Sequence, residues 1–157
     1  MSYSIDMSKQ SNAFWEIKTL EEMTQPEWES LCDGCGRCCL NKLEDIDTGE
    51  LYFTNVSCRL LNDHTCRCEN YLQRKTLVPE CLVLDAASVK HSTALPSSCA
   101  YRRLAEGRPL PTWHPLVSHN VNTVHVQGIS IRGKTISERH VHIDQIEDHI
   151  VDWFDHE

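Results

Sequence analysis

Cys32-Asp33-Gly34-Cys35-Gly36-Arg37-Cys38-Cys39 places four cysteines within eight residues. A C-x2-C turn lets two sulfurs converge on one ion, and glycine lets backbone N–H groups turn toward them. Cys32, Cys35 and Cys38 also repeat the C-x2-C-x2-C start of bacterial ferredoxin ligation, without its continuation of three residues and Cys-Pro. Adjacent Cys38 and Cys39 have diverging side chains and are awkward ligands for one tetrahedral ion. The pair points to two metal centres, a bridged polynuclear cluster, or one ligand beside a free thiol. A vicinal disulfide would be strained.

Outward from this stretch lie Cys58, then Cys66-Arg67-Cys68, then Cys81 after Pro79-Glu80. Eighteen residues separate Cys39 from Cys58, a familiar gap between the halves of a zinc site. Cys32, Cys35, Cys38, Cys39, Cys58, Cys66, Cys68 and Cys81 would fill two four-thiolate sites and are the expected metal ligands. Cys99 is left over; it reads equally well as a small buried hydrophobe. All nine could also serve a bridged three-metal cluster. The expected cofactor is an iron–sulfur cluster or zinc. Two zinc ions cannot neutralise eight thiolates. Arg37, Arg59, Arg67 and Arg74 stand beside the cysteines and either supply positive charge or are ordinary surface arginines.

The chain has 157 residues, with 15 Lys+Arg against 23 Asp+Glu and a net charge of −8. It is read as one domain over residues 1–157, with 1–13 a flexible tail. Residues 1–31 carry six acids and two bases, residues 138–157 seven acids and one base, and the cysteine-bearing middle ten acids and twelve bases. That balance argues against nucleic-acid binding and against an electrostatic membrane anchor. Met1 to Gln10 is polar, so no secretory signal is expected, and Cys81-Leu82-Val83-Leu84 is too short to span a membrane. A cytoplasmic chain is expected, where clustered cysteines mean metal or redox chemistry more often than disulfides.

The expected fold is α+β: a metal-stapled, loop-rich half with short helices, plus a small β-hairpin and a C-terminal helix. Trp15, Ile17, Leu20 and Met23 suggest two short helical stretches. Thr24, Pro26 and Glu27 spell a capping box that opens a helix running into Cys32. Asp47-Thr48-Gly49 is a turn before a strand at 51–56. A helix follows Asp85, and another runs from Cys99 to Glu106, opened by a serine and closed by Gly107. Pro109, Pro111 and Pro115 suggest an extended connector. Residues 123–126 and 129–131 look strand-like, with 135–137 returning as a hairpin. Asp144 is expected to cap the final helix, with Ile146, Ile150, Trp153 and Phe154 on its inner face.

Of the nine histidines, His64 is nearest the cysteines, His114 lies in a packed stretch, and His140 and His142 would share one side of a strand. Packing or surface roles outweigh ligation for each. No G-x-S-x-G, P-loop or dinucleotide fingerprint is present.

C-x-x-C-x-x-C-C, then Cys66-x-Cys68-x-x-Tyr71-x-x-Arg74 and Pro79-x-Cys81, resembles the bacterial C-x-x-C-x-x-C-C family, a zinc- or iron-chelating domain. The flanks Trp28-Glu29-Ser30-Leu31, Leu95-Pro96-Ser97-Ser98-Cys99-Ala100-Tyr101-Arg102 and Trp113-His114-Pro115-Leu116 are similar to its YcgN-type branch, over about 14–153. Where that branch is expected to carry a tryptophan before the Leu-Pro pair, this chain has Ala94. Three functions follow. One is a metal-binding protein whose cluster is redox-active or serves a partner enzyme. The second is a structural zinc module that binds a protein partner through its acidic surface. The third, less favoured, is an enzyme with Cys39 as nucleophile beside Arg37 and His64 or His114 as base.

Overall fold

The computed structural model describes residues 13–92 and 94–153. The expected tail lies almost wholly outside them, as does Phe154. Two short turns of helix, α1 (Phe14–Ile17) and a 3-10 turn at Leu20–Glu22, lead to α2 (Gln25–Ser30). The capping box reads true: Thr24 Oγ1 accepts from Glu27 N–H (3.3 Å), and Glu27 Oε1 accepts from Thr24 N–H (2.9 Å). Lys18 Nζ joins the same carboxylate at 2.7 Å.

Beyond the cysteine stretch, β1 (Leu40–Glu44) and β2 (Leu51–Ser57) form an antiparallel hairpin about the predicted Asp47-Thr48-Gly49 turn. A second small pair, β3 (Leu61–Asn62) and β4 (Arg67–Cys68), follows. Next come α3 (Arg74–Leu77), α4 (Ala86–Val89) and α5 (Ala100–Ala105). Asp85 caps α4 by accepting from Ser88 N–H at 2.7 Å. Gly107 (φ +75°) closes α5 in a Schellman motif: its N–H bonds to Leu104 O, and Arg108 N–H to Arg103 O.

The expected α+β class holds, with the hairpin in a different place. Residues 123–131 do not pair as strands. Thr123–Val126 is a helical turn, α7, preceded by α6 (Pro115–Ser118), whose first residue is a proline of the supposed connector. Val124 is fully buried, and Gly128 (φ +72°) ends the turn. Tertiary burial of one β-branched residue has overridden its strand propensity. Ile136–Ser137, β5, joins β2 in parallel rather than returning as a hairpin.

The C-terminal helix is also corrected. Ile143–His149 is 3-10, capped by His142 Nδ1, which accepts from Asp144 N–H at 3.2 Å. The chain must then run extended along β2. Val151 N–H bonds to Phe53 O (2.9 Å), and Ile150 bridges Thr54. Ile150 therefore remains 42% exposed instead of facing inward. His140 and His142 lie in turns, both exposed.

Two cores result. The larger gathers Leu20, Leu31, Val89, Leu95, Ala100, Tyr101 and Leu110, with Trp15, Trp28 and Leu116 against it. The smaller is Leu40, Cys66 and Ile131, flanked by Leu61 and Trp153. The cysteine stretch joins them, because Leu31 belongs to one and Leu40 to the other.

Gly36 sits where the stretch meets the smaller core. Its φ is +76°, and an added Cβ would lie 2.7 Å from Ile131 Cγ1 and 3.3 Å from Cys66 Cβ. Gly36→Ala should therefore cost roughly 2 kcal/mol or more, from backbone strain and overpacking together. Gly128→Ala, where a Cβ meets nothing within 4 Å, should cost only about 1 kcal/mol of backbone strain. Urea midpoints of the two variants test this; equal losses would contradict the close contact at Gly36.

Candidate metal centre

The last turn of α2 is anchored by two side chains from distant parts of the chain. Tyr101 Oη donates to Trp28 O at 2.8 Å, with the rings of Trp28 and Tyr101 4.8 Å apart. His114, fully buried, donates from Nε2 to Leu31 O at 2.8 Å. Its Nδ1 accepts from Leu116 N–H at 3.0 Å, which fixes the neutral tautomer. Both ring nitrogens are thus spent on the backbone, and His114 has none left to act as a base toward Cys39. Cys32 follows immediately from this anchored end.

The turns of the motif are set by Gly34 (φ +79°) and Gly36. Asp33 is buried, and its Oδ1 accepts from Cys35 N–H at 2.9 Å. Arg37 is 3% exposed. It donates Nε to Ile129 O (2.8 Å) and Nη1 to Ser98 Oγ (2.8 Å). Ser98, the expected cap of α5, is engaged by Arg37, and Cys99 takes the N-cap position. One guanidinium thus ties the motif to the entry of α5, and Cys99 with it.

Other contacts gather the remaining sulfurs. Cys58 N–H donates to Cys39 O at 2.8 Å, at the open end of the β1–β2 hairpin. Leu61, whose N–H bonds to Cys58 O, pairs with Cys68 across β3 and β4. Arg59 Nη2 donates to Leu77 O (2.6 Å), which draws the α3–Cys81 segment toward Cys58.

None of the nine thiols is in a disulfide. Cys32, Cys35 and Cys99 each feel the charges of Cys38 and Asp33. Cys39 feels Cys58 and Cys68, Cys58 feels Cys81 and Cys68, and Cys81 feels Cys68 and Cys38. Cys38 and Cys39 share a hydrogen bond. Of the expected ligands, Cys32, Cys38 and Cys68 line one groove.

Cys66 is placed differently. It is 3% exposed and left-handed (φ +61°), packed on Leu40 and Ile131. The polar groups acting on it are Ser130, Arg132 and Asp63 rather than sulfurs. The Arg37–Ser98 bond brings the start of α5, with Cys99, to the motif.

Backbone N–H groups face several sulfurs. Arg37 N–H lies 3.5 Å from Cys35 Sγ. Gly34 N–H serves Cys32, Leu60 N–H serves Cys58, and the N–H groups of Arg102 and Tyr101 serve Cys99. Arg67 Nη1 adds a bond to Cys32 Sγ at 3.4 Å. Such donors stabilise sulfur when it carries charge. Without that charge compensated, burial dominates: it pushes the Cys32 thiol up to about 11 and Cys99 up to about 12, and Cys35 well above the ordinary range. Cys38 alone is shifted down, chiefly because the Cys39 S–H donates to it, with Lys42 assisting; Cys39 is raised in return.

Among the described residues, no three Cys, His, Asp or Glu side chains converge on a single ion-sized point. In kind, the donors fit a thiophilic ion: free thiols, with backbone and guanidinium N–H groups already facing sulfur. A groove of about 630 Å³ is lined by Cys32, Cys38 and Cys68. Trp28, Tyr71, Tyr101, Arg67 and Arg74 form its walls, with Arg74 stacked 3.8 Å over Tyr71.

A small α+β scaffold presenting thiols in this way defines a cysteine-based chelating domain. Residues 31–100 match the C-x-x-C-x-x-C-C family, described as "Putative zinc- or iron-chelating domain". The chain is 56% identical over 140 residues to a UPF0260 protein of Rhizobium etli (strain CIAT 652), covering 89% of each. It is 57% identical over 141 residues to one of Shewanella oneidensis, covering 90% of this chain and 95% of the relative. With one of Rhodopseudomonas palustris (strain HaA2) the identity is 53% over 148 residues, or 94% of this chain and 87% of the relative. The chain belongs to the UPF0260 family. No solved structure matches it.

The burial of His114 carries a pH signature. Desolvation holds its pKa below the ordinary histidine value, despite the opposing bond to Leu31 O. Above about 6.5 both the folded and unfolded chains keep this ring neutral. As pH falls below that, the unfolded chain takes up the proton first, so stability declines until the folded value is passed. His114→Gln should flatten the fall in urea midpoint between about pH 7.5 and pH 5.5. Parallel pH profiles for the two proteins would rule the effect out.

Proposed function

We propose that this chain is a metal-binding protein that holds zinc or iron through its thiols, with the centre itself as the functional part. What supports this is the match to a zinc- or iron-chelating family model over residues 31–100, together with free thiols toward which backbone and guanidinium N–H groups already point. The adjacent Cys38 and Cys39 are awkward ligands for one tetrahedral ion and suit two ions or one polynuclear iron–sulfur centre. A bound ion would supply the positive charge that makes buried thiolates tolerable.

The chain's own residues do the rest. Gly34, Arg37, Leu60 and Arg102 aim N–H groups at sulfur, Arg67 places a cation on Cys32, and Arg37 ties the motif to the start of α5. The scaffold has apolar cores of its own, centred on Leu31, Leu95 and Tyr101, so the metal is not a substitute for a core. That favours a centre kept for its chemistry, redox or accessory to a partner enzyme, over a purely structural zinc module. The groove beside Cys32 and Cys38 is where a protein partner would reach it, and a cytoplasmic setting suits the free thiols.

Metal content and visible absorption of protein purified without oxygen test the reading. Iron with matching acid-labile sulfide supports a redox-active cluster. Colourless protein with about two zinc ions per chain ends the electron-transfer reading and leaves the structural module. Protein that binds neither metal defeats both.

The thiol shifts add a second expectation. Cys32 and Cys99 keep their protons at neutral pH, so metal uptake should release about one proton per bound thiol. Zinc affinity, measured by chelator competition, should rise steadily from about pH 6 to pH 8. A flat profile would mean that these thiols are not the ligands.

A further inference from the structure

Between α3 and α4 the chain passes along one wall of the groove as Leu82-Val83-Leu84. It is tethered at both ends. Cys81 N–H bonds to Val78 O at 2.9 Å, and Asp85 N–H to Ser88 Oγ at 2.9 Å. Between these points, no hydrogen bond among the described residues uses the N–H of Leu82, Val83 or Leu84, or the carbonyl of Val83 or Leu84. Leu84 packs against the larger core, while Leu82 is 37% and Val83 47% exposed. An apolar run without proline, open to solvent and with its main-chain groups unpaired, can accept an added strand. Consecutive exposed apolar residues on a soluble surface mark a place where something docks.

The charges of the groove select what docks there. Arg67 Nη1 donates to Cys32 Sγ (3.4 Å) and Arg74 Nη1 to Tyr71 O (2.6 Å), and among the described residues neither is in a salt bridge with a carboxylate. The three acids lining the groove already have partners. Glu21 pairs with Lys90, Glu29 accepts from Tyr71 Oη (2.6 Å), and Asp85 accepts from Ser88 N–H (2.7 Å). The unpaired charge of the groove is therefore cationic, in a chain whose net charge is −8. A guanidinium without an anion of its own is a site for a carboxylate.

We propose that the groove binds an extended acidic segment of a partner protein, which adds as a strand to Leu82–Leu84 and sets its Asp or Glu side chains on Arg67 and Arg74. This rests on the reading of the groove as a partner's approach to the thiols and deepens it by giving that partner's chemistry. Main-chain hydrogen bonds supply the attachment, apolar residues of the segment cover Leu82 and Val83, and the arginines select acidic over basic sequences. Three extended residues span only about 10 Å, so the attachment is weak and reversible.

The full chain is titrated with a fluorescein-labelled heptapeptide that alternates valine with glutamate, and binding is read by anisotropy. Two control peptides accompany it. One has lysine for every glutamate, and the other is N-methylated at alternate residues so that one edge of the strand cannot donate. The acidic peptide should bind at least about 10-fold more tightly than either control. Arg74→Glu should weaken the acidic peptide and strengthen the lysine one. Val83→Pro, which deletes a main-chain donor, should weaken both. The peptide controls need no variant, so a variant that fails to fold does not shelter the proposal.

Equal affinity for the acidic and lysine peptides, an unchanged affinity after N-methylation, or no binding of the acidic peptide would overturn the proposal. Concentration-dependent dimerisation that Val83→Pro abolishes would also overturn it, by making a second copy of the chain the occupant. Metal content of the same preparations separates the two readings. A chain that takes the acidic peptide but holds neither zinc nor iron defeats the metal-binding reading alone. One that holds metal but not the peptide defeats this proposal alone.

Discussion

Leu31 and Leu40 are buried in different cores, and the cysteine stretch is the chain between them. That double anchoring is the constraint from which the rest follows. With both ends fixed, Asp33, Cys35 and Arg37 are held in the interior, while Cys38 stays exposed. The glycines at 34 and 36 make the turns sterically possible. Arg37 pays for its own burial by bonding to Ile129 O and Ser98 Oγ, and so joins the halves of the molecule.

The positive charge near sulfur is narrower than the sequence suggests. Four arginines flank the cysteines, and the Arg67 guanidinium bonds to one directly, at Cys32. Arg74 lies on the Tyr71 ring and acts on Cys81 from a distance. Arg59 serves Leu77 O and the Glu138 carboxylate, and Arg37 is a structural tie. Most of the help for the sulfurs comes from backbone N–H groups. These are created by turn geometry and by the start of α5, and no residue type announces them.

Signals that act within one turn of chain were legible. Thr24 with Glu27, Asp85 with Ser88, and Gly107 after α5 all do what local chemistry dictates. The 123–137 stretch was not legible, because its conformation is fixed from outside. Val124 is driven into the interior, Ile131 packs on Gly36, and only two residues find a strand to join. The same distinction runs through the site. The motif and its spacing were plain in the sequence, but the approach of Cys99 to it depends on a bond between residues 61 positions apart, and the packing of Cys66 on Leu40 and Ile131 leaves no mark on spacing. Asp33 was in plain view within the motif, but only its burial distinguishes it from a surface acid.

The nesting of the contacts has a consequence for how the chain assembles. The Arg37–Ser98 bond closes a loop of 61 residues, and inside that loop lie the β1–β2 hairpin and the β3–β4 pair. Those inner pairings are short-range and can form first. Each one shortens the free path that the outer closure must span, and closure entropy depends on that path only logarithmically. The β1–β2 and β3–β4 pairings are thus products of local folding, while the Arg37 bond waits for α5 to arrive. A nascent chain that has not yet emitted Cys99 can already form both.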